Sequence, residues 1–589
     1  MVQSTPMDYS AMFRVLLEKR GLSSDAEIDS FLAPNYGRDV FPASLLPNME
    51  RAVARLLLAI ERQERIAVYA DFDCDGIPGA VIMRDTLAKV GHENIEVYIP
   101  HRDREGYGFH ASAVEELAAR GAGLIVTVDV GASAREAARR ARALGVDVIV
   151  TDHHELPDAL PDVAALVHPR LVAEAAAYPH GDLCGAAVAW KLSCALLEEG
   201  RKRGLARFTA VPEGWEKWLL DMVALATIAD LVPLTGENRA LVHYGLTVFR
   251  KSPRPGVRAL CAEARVRQSE VTEDDIGYSI APRINAASRM DEPELAFRIL
   301  STRDAREADA LAARLGELNA SRKGSVASIV REARRRARAR YGGGEQIVVL
   351  GDSAWKPALL GLAAGTLLED GRRISARSAG HAEEQWAGRR VVCMWGRDAR
   401  GNLKGSCRSD GSVSVVELFS RASGALVEYG GHARSGGFSV SHEEVHALPE
   451  VFARAAEEAA QAAQAADAAL SAADSDTLEV RLGDVSAALF SELSRLAPFG
   501  IGNPKPVFNI RGALVEEVRR FGREKNHTEV VLSCSDTGAR CRAFQFFKSP
   551  ADFSVEPVPR TRVSLFGTIE RDSYRGGVAV RIVDMYPLS

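Results

Sequence analysis

The chain has 589 residues, too many for a single hydrophobic core, and about three or four domains are expected at roughly 100–200 residues each. No apolar run approaches the roughly 20 residues of a membrane helix, and the N-terminus has no charged leader before an apolar stretch. We therefore expect neither a membrane span nor a signal peptide. The net charge of −5 argues against a histone-like basic protein but is compatible with a local basic groove for nucleic acid.

The eight cysteines form no CxxC pair and no Cys/His zinc spacing. Most stand among apolar or small residues, which is typical of buried free thiols. This pattern predicts a reducing, cytoplasmic location.

Short apolar runs alternate with helical patterns from Arg65 to Val167. Such alternation predicts a parallel α/β sheet, whose active site lies at the carboxyl ends of the strands. Three of the predicted strands end in acidic or histidine clusters. The strands are expected at 65–71, 94–100, 123–131, 147–154 and 164–169, with helices such as 133–144 between them.

A helical region follows, and it ends in the basic run 331–340 and a glycine-rich boundary. We favour a solvated helix face for this run over the wall of a DNA channel. The fold class is α/β, followed by a small β-barrel. The expected divisions are an N-terminal helical segment (1–45), a catalytic α/β domain (46–300), a connecting helix (301–344), a smaller α/β domain (345–452), an alanine-rich helix and linker (453–475) and the barrel (476–589).

Three carboxylates stand at every second position directly after the first predicted strand, at Asp71, Asp73 and Asp75, and Gly76 follows them. Like charges at this spacing repel unless cations neutralise them. The pattern also occurs in calcium loops, although the further ligands of an EF-hand are missing. Alone, it leaves metal binding as one of two interpretations.

The third strand ends in Asp129, which by itself is typical of a turn former or helix cap. The fourth ends in Asp152, His153 and His154, and imidazole with carboxylate suits manganese, iron or zinc. The surplus of carboxylates favours manganese or magnesium. Asp230 ends an apolar helical run and by itself is typical of a helix terminator.

Taken together, Asp73, Asp75, Asp129 and His153 are expected to converge at one edge of the sheet, where Asp230 closes the site. Carboxylates shared by two cations about 3.5–4 Å apart promote in-line attack of water on phosphorus. The combination therefore predicts a two-metal phosphoesterase.

These segments resemble, in order, the motifs of the DHH phosphoesterase family. The matching positions are 71–76, 129–131, 152–154 and 229–230, and 430–432 resembles the signature of the DHH-associated domain. A longer match is similar to the RecJ branch of single-strand exonucleases. It covers about 69–584 through the segments 101–108, 183–192, 226–239, 281–290, 403–409 and 497–508. The resemblance implies a DHH domain, a DHH-associated domain and an OB-fold barrel.

The resemblance also implies roles for individual residues. The metal ligands would be Asp73, Asp75, Asp129, His153 and Asp230, holding two Mn²⁺ or Mg²⁺ ions with Asp129 bridging. Asp71 and Asp152 are weaker candidates that would orient the ligands. His154 would contact the scissile phosphate or assist the leaving group, so Asp129 and His154 are the catalytic candidates.

Phosphate contacts follow from the same resemblance, because guanidinium groups suit phosphate oxygens. The candidates are Arg102, Arg283, Arg408 and His432, with Asn285, Arg289 and Ser406 as weaker ones. The OB-fold would bind single strands through stacked bases, although most aromatic side chains in a small barrel belong to its core. The stacking candidates are Phe521, His527, Phe544, Phe546, Phe547 and Tyr574.

Several positions depart from the family pattern, and none removes an expected ligand. They are Cys74, Pro78, Val130, Ser288 and Ala497. Of these, Pro78 and Val130 would reshape the site. The segment 372–389 resembles an insertion of unknown purpose.

The function implied is a single-stranded-DNA-specific 5′→3′ exonuclease that releases 5′-mononucleotides in DNA repair and recombination. Single-stranded DNA is the expected partner of a monomer, with a single-strand-binding protein and a helicase as further candidates. One alternative is a DHH phosphodiesterase of short oligonucleotides or cyclic dinucleotides, and such enzymes typically lack the barrel. Another is a non-catalytic DNA-binding scaffold, but such relatives lose metal ligands that this chain keeps.

Overall fold

The computed structural model describes residues 10–172, 177–341, 345–375, 390–466, 477–522, 525–534, 538–572 and 575–588. These residues form two compact units. We call them the barrel unit (10–34 and 477–588) and the α/β unit (35–372 and 390–466). In the described part of the chain, no helix is both long enough and apolar enough to cross a membrane.

The helices in the first half of the chain are α1 (Ala11–Lys19), α2 (Asp25–Leu32), α3 (Tyr36–Asp39), α4 (Met49–Glu61), α5 (Gly76–Lys89), α6 (Ala111–Ala119), α7 (Arg135–Ala143), α8 (Gly185–Lys202), α9 (Ala206–Thr209), α10 (Leu220–Ala229), α11 (Gly236–Lys251), α12 (Pro255–Glu263) and α13 (Glu273–Asp275). A π-helical turn, Ile276–Ile280, follows α13. The later helices are α14 (Ala281–Arg289), α15 (Glu294–Ser301), α16 (Ala305–Arg340), α17 (Pro357–Ser375), α18 (Val415–Arg421), α19 (Leu448–Ala466) and α20 (Ala487–Ser494).

The first sheet of the α/β unit is parallel throughout, as predicted. Its strands are β1 (Arg65–Ala70), β2 (Ile95–Tyr98), β3 (Ala122–Val128), β4 (Asp147–Thr151) and β5 (Ala165–Val167), in the order β2-β1-β3-β4-β5. The valine and isoleucine side chains of the central strands β1, β3 and β4 are buried because helices cover both faces. The strands β1, β3 and β4 are neighbours, so the residues after their last positions meet at one edge.

The second sheet of this unit is smaller and mixed. It contains β6 (Ile347–Gly351), β7 (Val391–Arg397), β8 (Leu403–Ser409), β9 (Glu428–His432) and β10 (Ser435–Val440), in the order β6-β7-β8-β10-β9. Only β6 and β7 are parallel. Within this unit, α16 connects the part of the chain that contains the first sheet, called here the first domain, to the part that contains the second sheet, called the second domain. Its 36 residues span about 54 Å at 1.5 Å per residue.

Two arginines of the basic run at the end of α16 form close ion pairs with acids of the protein itself. Arg334 pairs with Asp370, and Arg336 pairs with Asp352 and, at 2.6 Å, with Glu332. This arrangement supports a structural helix face over the wall of a DNA channel.

The barrel unit consists of β11 (Leu478–Val480), β12 (Phe508–Phe521), β13 (His527–Ser533), β14 (Arg540–Gln545), β15 (Arg562–Arg571) and β16 (Val578–Pro587). Pairing of β12 with β15 closes the sheet into a barrel, which confirms the predicted C-terminal OB-fold. The core of this unit also contains α1, because Phe13, Leu16 and Leu17 pack with Phe508 and Ile510.

Two predicted segments lie partly outside the described residues. Of the expected insertion 372–389, only the backbone of its first four residues belongs to α17, and 376–389 lie outside. Helix α19 covers 453–466 of the alanine-rich stretch, and the rest lies outside.

Candidate metal centre and phosphate-binding cluster

Buried carboxylates occupy the carboxyl edge of the first sheet. Asp71, Asp75 and Asp129 are 3%, 1% and 2% exposed, although ionised carboxylates are rarely buried unless they are paired or bind a metal. Asp73 and Asp230 lie beside them, partly exposed. The residues that the sequence placed at this edge are therefore together in space.

His153 lies at the centre of one group of these acids. Its Nε2 atom is 3.1 Å from Asp129 Oδ1, 3.5 Å from Asp75 Oδ2 and 3.7 Å from Asp230 Oδ2. Ligand atoms of Asp75, His153 and Asp230 all lie within 4.8 Å of one another, a geometry that can hold a cation.

A second group adjoins the first. Ligand atoms of Asp71, Asp73 and Asp129 also lie within 4.8 Å of one another. Asp129 contacts both groups, since it is also the acid nearest to His153 Nε2. The geometry therefore offers two neighbouring cation positions with Asp129 between them.

Several polar atoms of the site have no hydrogen-bond partner among the described residues. They are Asp71 Oδ1, Asp129 Oδ1 and His153 Nε2, and all three are buried. Leaving such atoms unpaired is costly, and a shared cation would satisfy them. Carboxylate oxygens with one imidazole nitrogen are ligands that manganese and magnesium accept.

The surroundings of these acids favour their uncharged forms. Burial, followed by the neighbouring carboxylates, raises the pKa of Asp71, Asp129 and Asp230 well above the usual value. Burial and Asp73 raise the pKa of Asp75 to about 6. A bound cation would restore the charged forms, because it favours carboxylate over carboxylic acid.

Local backbone geometry positions Asp129 and Asp75. Asp129 has a φ of 62°, in the left-handed region, and packs against Gly185, where an added Cβ would lie 2.5 Å from Asp129 Cβ. The amide groups of Gly185 and Ala186 donate to the two oxygens of Asp75 at 2.6 and 2.7 Å. The N-terminus of α8 therefore fixes both acids.

Other predicted residues orient the site. The amide oxygen of Asn285 accepts a hydrogen bond from the Cys74 backbone at 2.9 Å and so holds the loop of Asp73. Asp152 accepts from the backbone of Ala132 and from His154 Nδ1, each at 2.8 Å. Both oxygens of Asp152 are thus engaged, which fits an orienting role better than direct ligation.

The two histidines differ in charge. Burial and the positive charge of His154 lower the pKa of His153 to about 3, which leaves a neutral ring able to bind metal. Burial opposes protonation of His154, but the hydrogen bond and charge of Asp152 outweigh it and raise its pKa to about 9. The Tyr107 hydroxyl lies 3.2 Å from His154 Nδ1, and the His432 ring centroid lies 6.0 Å from that of His154.

Arg102, Arg289, Arg322 and Arg408 are close enough for their charges to interact with one another or with Asp73. Burial and the positive charges of Arg102, Arg322 and Arg408 lower the pKa of Arg289 well below its usual value. Among the described residues, no carboxylate forms an ion pair with any of these four arginines. Since arginine stays protonated in proteins, such a cluster could bind anionic oxygens.

Each arginine of this cluster is held by its surroundings. Arg102 lies 4.7 Å from the ring centroid of Phe72, and Arg289 Nη1 donates to the Ala358 carbonyl at 2.6 Å. An added Cβ at Gly361 would lie 2.5 Å from Arg408 Nη2. Arg322 Nη2 donates to Asn319 Oδ1 at 2.9 Å.

Two further residues that were predicted to contact phosphate, Arg283 and Ser406, are not among the four arginines of the cluster. Arg283 donates to the carbonyl groups of Ser279 and Glu263, at 2.5 and 3.5 Å, and is not among the cations that act on Arg289. Ser406 lies two residues before Arg408 on β8, so both side chains are on the same face of the strand.

The sequence did not predict Arg322 or Tyr107 as residues of the candidate site. Arg322 is one of many arginines in α16, and no local pattern distinguishes it from a solvated residue. Tyr107 belongs to the matched segment 101–108, so the sequence predicted that this segment lies near the site, but it did not predict the contact of Tyr107 with His154.

The departures from the family pattern are accommodated. Pro78 is the third residue of α5, within the first turn, where proline is tolerated. Cys74 and Val130 are buried at 1% and 2% exposure, and neither displaces a candidate ligand.

An aromatic cluster covers one side of the barrel. The rings of Phe521, His527, Phe544, Phe546 and Phe547 contact one another, with centroid separations of 4.8 to 5.9 Å. Phe546 is 43% exposed and Phe547 is 76% exposed, so they are not core residues. Tyr574 lies outside the described residues.

Comparison with known proteins gives matches at both ends of this architecture. Residues 65–227 match the DHH family, N-terminal domain, and residues 477–583 match the RecJ OB domain. The single-stranded-DNA-specific exonuclease RecJ of Salmonella typhimurium is 30% identical over 99% of this chain and 97% of that protein.

The chain therefore belongs to the RecJ family. The RecJ exonuclease of Thermus thermophilus is 34% identical over 92% of this chain and 72% of that protein. The Bacillus subtilis RecJ is 32% identical over 94% of this chain, but the match spans only 64% of that longer relative.

Solved RecJ structures share the fold. The crystal structure of RecJ in complex with Mn²⁺ from Thermus thermophilus has a TM-score of 0.75 and 28% identity, covering 98% of this chain and 76% of that one. A structure of exonuclease RecJ bound to manganese has a TM-score of 0.56 and 32% identity, covering 72% and 96%.

Proposed function

We propose that this chain is a metal-dependent exonuclease that degrades single-stranded DNA from the 5′ end and releases 5′-mononucleotides. The observation that carries the proposal is Asp129, whose buried Oδ1 accepts no hydrogen bond, lies 3.1 Å from His153 Nε2 of one group of potential ligands, and belongs to a side chain of the other group. Membership of the RecJ family supports the same substrate class. Repair and recombination would be the context.

Two divalent cations, Mn²⁺ or Mg²⁺, would lower the pKa of the attacking water and neutralise charge on the phosphoryl oxygens. Asp75, His153 and Asp230 would hold one cation, Asp71 and Asp73 the other, and Asp129 would bridge them. Asp71 thereby becomes a stronger candidate than its position in the sequence suggested.

The remaining residues would bind and orient the strand. The charged ring of His154 would contact the scissile phosphate or donate a proton to the departing 3′ oxygen. Arg102, Arg289, Arg322 and Arg408 would bind phosphate oxygens, and His432 faces His154 from the second domain. The 5′ polarity rests on family membership.

Manganese titration of Asp129→Asn tests the metal centre. We expect at least one Mn²⁺ fewer by calorimetry and a loss of hydrolysis of about 10³-fold or more, because a bridging ligand is removed. Asp162→Asn makes the same chemical change on a side chain that is 72% exposed, and it should match the wild type. Equal manganese binding and activity in Asp129→Asn and the wild type would refute the centre.

End-labelled single-stranded DNA with one end blocked tests the polarity. Degradation should require manganese or magnesium and a free 5′ end, and duplex DNA should resist. Degradation from a free 3′ end, or equal attack on duplex, would remove the assignment.

The main alternative, a phosphodiesterase of very short oligonucleotides, is disfavoured by the exposed aromatic cluster on the barrel. Phe547→Ala should weaken binding of a long single strand by about 1–3 kcal/mol, the usual loss for one stacked base, while hydrolysis of a dinucleotide stays unchanged. Val558→Ala, at a side chain that is 50% exposed on the same unit, is the control. Unchanged long-strand affinity in Phe547→Ala would favour the alternative.

Location and partners remain proposals. All eight cysteines are free thiols, which is consistent with a reducing cytoplasm. A single-strand-binding protein, a helicase and a monomeric state are still predictions from the sequence.

A further inference from the structure

A lysine of the second domain forms ion pairs with two acids of the first. Lys356 Nζ lies 2.6 Å from Asp291 Oδ2 and 3.4 Å from Asp103 Oδ2. Lys356 directly precedes α17, whereas Asp103 and Asp291 belong to the domain of the first sheet. The three side chains are partly buried, at 28%, 15% and 51% exposure for Lys356, Asp103 and Asp291.

These acids lie next to the phosphate-binding arginines in the chain. Asp103 directly follows Arg102, and Asp291 stands two residues after Arg289. On the other side, Lys356 stands two residues before Ala358, whose carbonyl accepts the hydrogen bond from Arg289. The lysine–acid contacts and the arginine cluster therefore share the same three backbone segments.

The two acids are close to each other as well as to the lysine. Burial and then the nearby charge of Asp291 act to raise the pKa of Asp103, whereas Lys356 acts to lower it, so one lysine is shared by two acids. His101 Nε2 lies 4.0 Å from Asp291 Oδ1 and provides at most a weaker second contact. Apart from Lys356, the cations beside these acids in the chain are Arg102, Arg104 and Arg289.

We propose that Lys356 is a positioning residue for the substrate, because it keeps Asp103 and Asp291 from neutralising Arg102 and Arg289. This inference rests on the proposed function, in which those arginines bind the phosphates of the strand. Lys356 itself need not touch DNA. Its effect should appear in substrate affinity and not in the rate of the chemical step.

Lys356→Met tests the proposal, since methionine keeps most of the side-chain length without the charge. We expect KM for single-stranded DNA to rise about tenfold, the equivalent of one lost charge-assisted contact, with kcat within about threefold of the wild type. The slope of log Kd against log salt should become shallower by about 0.7 for each arginine withdrawn from phosphate. Lys202→Met, at an exposed ion pair with Glu199 on α8, is the matched control.

Suppression separates this role from a simple tie between the domains. Adding Asp103→Asn and Asp291→Asn to Lys356→Met removes the competing charges, so KM should return to within about threefold of the wild type. If Lys356 only tied the two domains, the triple variant would stay impaired or become worse. That result, or an unchanged KM in Lys356→Met, would overturn the proposal.

Failure of the proposed function would look different. If the wild type did not hydrolyse single-stranded DNA, the same variants would be compared by the Kd of a short 5′-phosphorylated oligonucleotide in metal-free buffer. We again expect oligonucleotide binding to be weaker in Lys356→Met than in the wild type and to be restored in the triple variant. Equal Kd values in all three proteins would overturn the positioning role of Lys356, whether or not the proposed function holds.

Discussion

Among the acids around His154, Asp152 raises the pKa of the ring most, and Asp230 and Asp71 add to it. The Asp152 carboxylate accepts a hydrogen bond from His154 Nδ1 at 2.8 Å, and burial of the ring alone would act in the opposite direction. Because the pKa of His154 is raised to about 9, the ring is charged below that pH and becomes neutral as the pH rises through it. His154 is thereby kept charged at neutral pH, as the proton donation proposed for it requires.

We predict that Asp152→Asn lowers the pKa of His154 from about 9 towards or below its ordinary value, because the opposing effect of burial remains. Imidazole NMR signals of the metal-free protein, assigned with His154→Gln, would measure the shift. The basic limb of the activity profile should move to lower pH in the same variant. Glu155→Gln, which removes a neighbouring acid that does not contact the ring, should leave the pKa of His154 near 9; a similar fall there would contradict the specific role of Asp152.

Some single residues could be predicted and others could not, for a physical reason. Asp129 and His153 end neighbouring strands of a parallel sheet, so a pattern of a few residues already places them together. Arg322 reaches the cluster from the middle of a long helix, and only tertiary packing determines which way it faces. Arg283 was predicted to contact phosphate, which stays a prediction; in the structure it donates to the carbonyl groups of Ser279 and Glu263.

Among the elements, the start of α8 controls the metal centre most directly. Its first residue, Gly185, contacts Asp129 so closely that an added Cβ would lie 2.5 Å from Asp129 Cβ, 2.7 Å from Asp129 Cα and 2.7 Å from Asp129 Oδ1. The same turn donates two amide hydrogen bonds to Asp75. A helix that covers the sheet thus also sets the spacing of two candidate ligands.

We therefore predict that Gly185→Ala destabilises the α/β unit by about 1–3 kcal/mol and weakens manganese binding, because Asp129 must move. Gly324→Ala makes the same change inside α16, where an added Cβ meets nothing within 4 Å. That control should gain up to about 1 kcal/mol from helix propensity and bind manganese normally. Denaturant unfolding and calorimetry would measure both variants, and wild-type manganese affinity in Gly185→Ala would contradict the expectation.

Most helices and strands of the first sheet could be predicted from the sequence. Each of the five expected strands of the first sheet is present to within a few residues, because buried parallel strands read as short runs of valine and isoleucine ended by polar residues. The π-helical turn Ile276–Ile280 before α14 had no such signal.

For the molecule as a whole, residues far apart in the sequence form one unit. Phe13, Leu16 and Leu17 of α1 are buried in the core of the barrel, and Ser10 Oγ donates to Glu492 Oε2 at 2.7 Å across 482 positions. The apolar spacing in α1 predicts a helix with a buried face, but it does not say which core receives that face. Long-range partners of this kind carry no local signal.

The burial of Phe13 makes α1 part of the stability of the barrel unit. Phe13→Ala should destabilise the barrel unit by about 3–5 kcal/mol, the usual cost of removing a buried phenylalanine, although the barrel strands begin more than 450 positions later. Val15→Ala, at a side chain of the same helix that is 38% exposed, should have little effect. Differential scanning calorimetry should show a lower transition for the barrel unit in Phe13→Ala. Long-strand binding should weaken at temperatures where dinucleotide hydrolysis persists, because the α/β unit keeps its own core. A barrel transition at the wild-type temperature in Phe13→Ala would mean that α1 does not contribute to that core.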